Sequence, residues 1–291
     1  MKNRSLFHWI IFVSLALTWG SSFILMKRGL DSFSSYQVAA LRIFIAFLFL
    51  LPLAFRHIKK IHFKYLPAFI AMGVFGNLIP AFLFTQAETL ISSALTGMLN
   101  SVTPVFALII GLIMLKEKVK LLQIVGLATG IIGAIGLLSL GKDSESSGNI
   151  YLGGAMVLLA TFFYGLSVNI IKAKLGNVSA VTATIFALCI VGPFAGIYLF
   201  TTDFIEVMQT KPLAFDSLKY VCILAIFGTS LSLIVFNILI KEAGTLFASS
   251  VTYFIPIVAM LWGALDGEAI TVAHSIFIVV ILAGVWLVNK K

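Results

Sequence analysis

Ten apolar stretches, each near the length that crosses a bilayer, follow one another with short polar tracts between them, and this spacing constrains the chain more than any other feature. A helix rises 1.5 Å per residue, so about 20 apolar residues cross the hydrocarbon layer. On that scale the sequence predicts helices over 9–27, 36–55, 65–86, 93–115, 121–140, 150–172, 179–200, 217–240, 245–265 and 271–288. The longest connections, 141–149 and 201–216, read as solvated loops. With 60% hydrophobic and 11% charged residues, a water-soluble monomer would have too few polar side chains to cover its surface. The expected fold class is therefore an all-α integral membrane protein. The apolar run from Trp9 to Met26 is too long and bulky for a cleaved signal peptide, so it reads as a retained first span.

The net charge of +9 does not point to nucleic acid. With the N-terminus in the cytoplasm, 14 Lys and Arg residues fall on the inner side and 5 on the outer, and Arg42 lies within a span. That bias is the positive-inside pattern and places both termini in the cytoplasm, in the inner or plasma membrane for a bacterial chain. Cys189 and Cys222 sit in apolar runs and read as small buried hydrophobes, with no disulfide and no metal site implied.

The two halves resemble each other. Trp19-Gly20 precedes Lys27 as Tyr164-Gly165 precedes Lys172, 145 residues later. Ala94 to Pro104 aligns with Leu246 to Pro256 at a shift of 152, Glu117 and Glu268 follow the two prolines, and Gly133 matches Gly284. The sequence divides into 1–145 and 146–291, each with five helices. Because five is odd, the second half inserts upside-down relative to the first. Inverted repeats around a midplane site are characteristic of secondary transporters.

These motifs resemble the EamA-type branch of the drug/metabolite transporter superfamily over essentially the whole chain. The matching residues are Trp19-Gly20-Ser21-Ser22-Phe23 with Lys27, Ala40-Leu41-Arg42, Asn100-Ser101-Val102-Thr103-Pro104-Val105-Phe106, Lys116-Glu117, and Gly126 with Gly133. The second half departs from the pattern, with Tyr164 for Trp, Ala187 opposite Arg42, and Asp266-Gly267-Glu268 in the glutamate motif. The resemblance implies ten helices around a central cavity lined by helices 1, 3, 4, 6, 8 and 9, with helices 5 and 10 peripheral. It also implies export or exchange of amino acids and other small metabolites.

Candidate substrate-binding residues are Trp19, Ser22, Asn77, Asn100, Thr103, Tyr164, Asn169, Asn237, Thr252 and Tyr253. A polar group facing lipid loses its hydrogen bonds, so these amides and hydroxyls must face protein or a cavity. There the aromatics would supply an apolar wall and the polar groups would orient a solute. The competing role for the amides is to join helices. Candidate gating residues are Lys27, Lys172, Pro104, Pro256, Glu117 and Glu268. The lysines either snorkel to the interface or pair with a carboxylate at a cavity mouth. The prolines would kink helices 4 and 9. Arg42 is expected to pair with Glu88 or Asp31. The glycines of helix 5 suggest close packing against a neighbouring helix of the same chain.

The chain carries no H-E-x-x-H, G-x-S-x-G or Walker A sequence, and its four histidines fall at predicted interfaces. No catalytic residue, cofactor or metal is expected, and an intramembrane enzyme acting on a lipid-like substrate is the alternative reading. The expected partners are a small-molecule substrate and the lipid bilayer, with no nucleic acid, in a monomer or homodimer. Because the carboxylates lie at helix ends, the sequence favours a facilitator or exchanger over a strongly proton-coupled pump.

Overall fold

The computed structural model describes residues 6–57, 63–116, 120–140, 147–243 and 250–289, and among them every regular element is helical. Eight helices are long and apolar enough to cross a membrane: α1 (Leu6–Leu30), α2 (Ser35–His57), α3 (Phe63–Ala87), α4 (Ser93–Met114), α5 (Leu121–Ser139), α6 (Asn149–Lys174), α7 (Val181–Phe200) and α8 (Ala214–Phe236). Two shorter apolar helices follow, α9 (Val251–Leu265) and α10 (Val272–Val288). Their ends agree with the expected segments to within a few residues, apart from the start of α9. The residues before it, 244–249, lie outside the described set, as do 141–146, which the sequence reads as a loop.

The stretch 201–216 departs from expectation. It contains a short helix, Phe204–Thr210, rather than a solvated loop throughout. Phe204 and Val207, one turn apart, are buried against Phe33, Val38 and Leu41, so the connection caps the end of α2 and α7.

Each half packs against the other in pairs. α5 packs against α10, α2 against α7, and α4 against α9, while α1 meets α8 and α3 meets α6. Glycine makes the closest of these contacts possible. A side chain at Gly284 would lie 2.5 Å from the Gly130 nitrogen and 2.7 Å from the Gly126 carbonyl oxygen, so the α5 and α10 backbones touch directly. The helix 5 glycines thus pack within the chain, and their partner is α10.

Several helices are interrupted. α4 consists of Ser93–Asn100 and Thr103–Met114. α9 opens with a 3₁₀ turn, Ser250–Tyr253, before Ile255–Leu265. Pro104 and Pro256 each stand in the first turn of the second stretch. Each span is thus interrupted just before its proline, which starts the next helical stretch rather than sitting inside a continuous one. At that position a missing N–H would be unpaired in any case, and the fixed φ favours starting the helix. α3 and α8 each contain a π-helical stretch, Val74–Leu78 and Leu224–Leu231. Gly76-Asn77 and Gly228-Thr229 fall within the two stretches, 152 residues apart. α4 and α9 also end alike, with Lys116 at φ 52° and Gly267 at φ 80°. This left-handed conformation is unfavourable for lysine and free of steric cost for glycine.

Candidate functional site

Helices from both halves enclose a cavity of about 350 Å³ at the centre of the bundle. Its volume falls in the range of small-molecule sites. The interruptions just described lie on its wall. Gly76 and Asn77 face it from the π stretch of α3, and Gly228 and Thr229 from that of α8. Asn100, Ser101, Thr103 and Pro104 reach it from the break in α4. A π turn shifts the helical hydrogen-bonding register by one residue, which leaves side chains to satisfy local carbonyls. Accordingly, the Asn77 amide donates to the Met72 carbonyl at 3.2 Å, and the Thr229 hydroxyl points to the Leu224 carbonyl at 3.4 Å.

Seven of the ten candidate binding residues line this cavity: Trp19, Ser22, Asn77, Asn100, Thr103, Tyr164 and Thr252. The Trp19 indole donates to the Gly228 carbonyl at 3.1 Å and thereby ties α1 to the π stretch of α8. Tyr164 stacks on Phe84 with ring centroids 5.7 Å apart. Of the remaining three, two stand elsewhere. Asn169 is buried, and its amide donates to the Ala107 and Gly165 carbonyls, both at 2.8 Å, so it joins α6 to α4. The Tyr253 hydroxyl donates to the Val285 carbonyl of α10 at 3.3 Å. The Asn237 side chain lies outside the described set.

Arg42 does not form the ion pair expected from the sequence. Its Nε donates to the Thr229 hydroxyl at 3.1 Å, and its Nη1 lies 3.7 Å from the Met26 sulfur. Asp31 faces Arg28 instead. Arg42 lines the cavity, which makes it a charged group of the site that sequence reasoning assigned to a structural ion pair. Its position two turns inside a span, where facing lipid would be costly, was the available signal.

Beyond Met26, the last cavity-lining residue of α1, stands a cluster of charges. Lys27 Nζ lies 2.6 Å from Asp266 and 2.8 Å from Glu268, and Arg28 also pairs with Asp266. The Glu268 carboxylate further accepts hydrogen bonds from the Ser93 N–H (3.0 Å) and hydroxyl (2.8 Å) and from the Ala94 N–H (2.9 Å). It therefore sits on the N-terminus of α4, where unpaired N–H groups and the helix dipole favour an anion. Burial pushes the Glu268 carboxyl up, but the Lys27, Ala94 and Ser93 hydrogen bonds outweigh it and hold the group below its ordinary value. The Trp262 indole adds a 2.7 Å bond to the Ser21 hydroxyl. Lys172 is exposed, and Glu117 lies outside the described residues. Pro256 is buried behind the wall rather than on it.

Near this cluster is Glu88, which the sequence offered only as an ion-pair partner for Arg42. Both carboxylate oxygens of Glu88 are buried without a hydrogen-bond partner among the described residues. Burial raises Glu88 well above the ordinary carboxylate value and the charge of Glu268 raises it further, while Arg42 and Lys27 act in the opposite direction.

An apolar helical bundle that lines a partly polar cavity, with a cluster of ion pairs beside it, has the make-up of a multi-pass membrane transporter. The particular family follows from comparison with known proteins. The model of the EamA-like transporter family matches residues 7–139 and again 151–290, and the chain belongs to that family. An uncharacterized transporter of Archaeoglobus fulgidus is 26% identical over 97% of this chain and 99% of its own length. Protein PagO of Salmonella typhimurium is 26% identical over 96% of this chain and 91% of its own. The uncharacterized inner membrane transporter YedA of Escherichia coli K12 is 24% identical over 95% and 88%. A crystal structure at 13% identity superposes with a TM-score of 0.63 over 98% of this chain and 97% of that one, which shows a shared fold.

Proposed function

We propose that this transporter carries small organic metabolites, amino acids among them, by alternating access through the central cavity, as an exporter or exchanger of a cell membrane. The observation that carries the reading is the cavity itself. Both halves line it, and residues related by the sequence repeat (Trp19 with Tyr164, Asn77 with Thr229) stand on its wall. Its lining mixes aromatic rings with single amides, hydroxyls and one guanidinium, which favours amphipathic solutes over ions or lipids.

The proposed architecture is ten spanning helices in two inverted halves, 1–145 and 146–291, with both termini in the cytoplasm. The twofold match of the family model, the pairing of α2 with α7, α4 with α9 and α5 with α10, the two π stretches and the two left-handed helix ends support it. In this arrangement Lys27, Asp266 and Glu268 form the outer gate. Lys172 and Glu117 belong to the inner one, and Pro104 and Pro256 mark where α4 and α9 bend. Inner-membrane localisation is in keeping with the name of YedA.

Comparison of metabolites released by overexpressing and deleted cells, followed by flux of the enriched compounds in proteoliposomes, tests the proposal. Ser22→Trp and Asn100→Trp should abolish flux while the protein remains folded. Unchanged flux in both would remove the cavity as the route. Labelling of single cysteines at Lys116 and Thr271 from one and the same side would refute the inverted arrangement.

A further inference from the structure

Glu88 is partly buried, and its two carboxylate oxygens are the buried side-chain polar atoms without a hydrogen-bond partner among the described residues. It follows the last turn of α3, and its own N–H donates to the Phe84 carbonyl. A negative charge is unfavourable there, because the C-terminal end of a helix carries a partial negative charge. The charged groups acting on it come from three other elements: Lys27 of α1, Arg42 of α2 and Glu268 of the α9–α10 turn. Lys27 is engaged by Asp266 and Glu268, and Arg42 by Thr229 and Met26. Neither cation is directed to Glu88. The nearby charges balance without it, since Lys27, Arg28 and Arg42 are matched in number by Asp31, Asp266 and Glu268. An ionised carboxylate left buried and unpaired would be strongly unfavourable, whereas a carboxylic acid fits the site.

We propose that Glu88 is a proton-binding site that couples this transporter to pH: it holds a proton while the Lys27–Glu268 end is closed and releases it to water when that end opens. The inference rests on the alternating-access reading. Opening separates Lys27 from Glu268 and admits water to the turn after α3. The Glu88 O–H then ionises, one proton leaves, and the carboxylate gains the freed Lys27 ammonium or Arg42 as a counter-charge. Acid therefore favours the closed end and alkali the open one. For one proton, the closed-to-open ratio changes by at most about tenfold per pH unit, and only between the Glu88 pKa values of the two conformations. The sequence-level expectation of weak proton coupling assumed solvated carboxylates at helix ends, and Glu88 does not meet that condition.

Spin labels at Thr89 and Thr271, both exposed and on the two turns that meet at the closed end, report the conformation without a known substrate. Pulsed distance measurements on the full chain in liposomes, between pH 5 and pH 9, should show short and long populations, with the short one growing as pH falls. Glu88→Gln, which copies the protonated state, should keep the short population at every pH. Glu88→Asp should restore the dependence. If two populations exist but their ratio ignores pH, or Glu88→Gln retains the wild-type dependence, the proton site is wrong while alternating access stands. If only a single population is found in wild type and in Glu268→Gln, the alternating-access reading fails and Glu88 falls with it.

Discussion

Replacing Glu268 by Gln tests how the closed end is held. The carboxylate accepts four hydrogen bonds, from Lys27, from the N–H and hydroxyl of Ser93, and from the Ala94 N–H. Gln preserves the shape but turns an NH₂ toward donors on one side, so at least one donor meets another. Hydrogen bonds to a charged group contribute about 1.5–3 kcal/mol. The attraction of an anion to a helix N-terminus adds about 0.3–1 kcal/mol. Lys27 is partly exposed and keeps Asp266 as a partner, so the lower part of the summed range applies. A loss of about 2–3 kcal/mol raises the open fraction about 30- to 150-fold. A Ser22→Cys reporter, in a background with Cys189 and Cys222 replaced by Ala, lies on the cavity wall below the cluster. Its rate of reaction with a membrane-impermeant maleimide, applied from the face bearing Glu268, should rise by that factor. A rate within twofold of the parent, in protein that remains monodisperse, would show that Glu268 does not hold this end shut.

Three further outcomes are expected. Gly284→Leu drives a side chain into the α5 backbone, which cannot give way, and should cost about 3 kcal/mol or more, seen as a fall in thermal unfolding midpoint; an unchanged midpoint would contradict the packing. Asn169→Leu should lower stability by about 1–2 kcal/mol and leave flux per folded molecule intact, whereas Asn77→Leu should impair flux, because only Asn77 borders the cavity; equal effects on flux would overturn that division. The closed population should also pass through a maximum with pH. Glu268, held below its ordinary pKa, stabilises the closed end above that value and loses the effect as pH falls through the lowered one. Glu88, held above its ordinary pKa, acts with the reverse sign, so mild acid closes and strong acid opens. A monotonic distance profile down to pH 3 would refute the pairing of the two carboxylates.

Helix positions were largely readable because apolar length is a one-dimensional property of the chain, and most ends of α1 to α10 fall within a few residues of expectation. Trp19, Asn100 and Tyr164 were legible as wall residues for a related reason: each stands beside a proline or glycine that recurs in both halves. What escaped depends on three-dimensional neighbours. Asn77 and Asn169 are equally polar in equally apolar surroundings, and only the orientation of a π stretch sends one to the cavity and the other to a carbonyl of α4. Glu88 reads as an interfacial residue at a helix end, and only the folded chain shows its carboxylate buried. The π stretches themselves carry no periodic signal, since one shifted turn scarcely alters a hydrophobic pattern. The helix at Phe204–Thr210 was lost among the polar residues around it, although Phe204 and Val207 one turn apart were visible.

The contact of α5 with α10 has a mechanical consequence. Where Gly126, Gly130 and Gly284 bring two main chains together, there is no layer of side chains to act as a lubricant. Sliding one helix along the other would drive backbone into backbone, so this pair serves as a fixed keel. Whatever rearranges during a transport cycle must pivot about it, and the displacement is left to the broken helices.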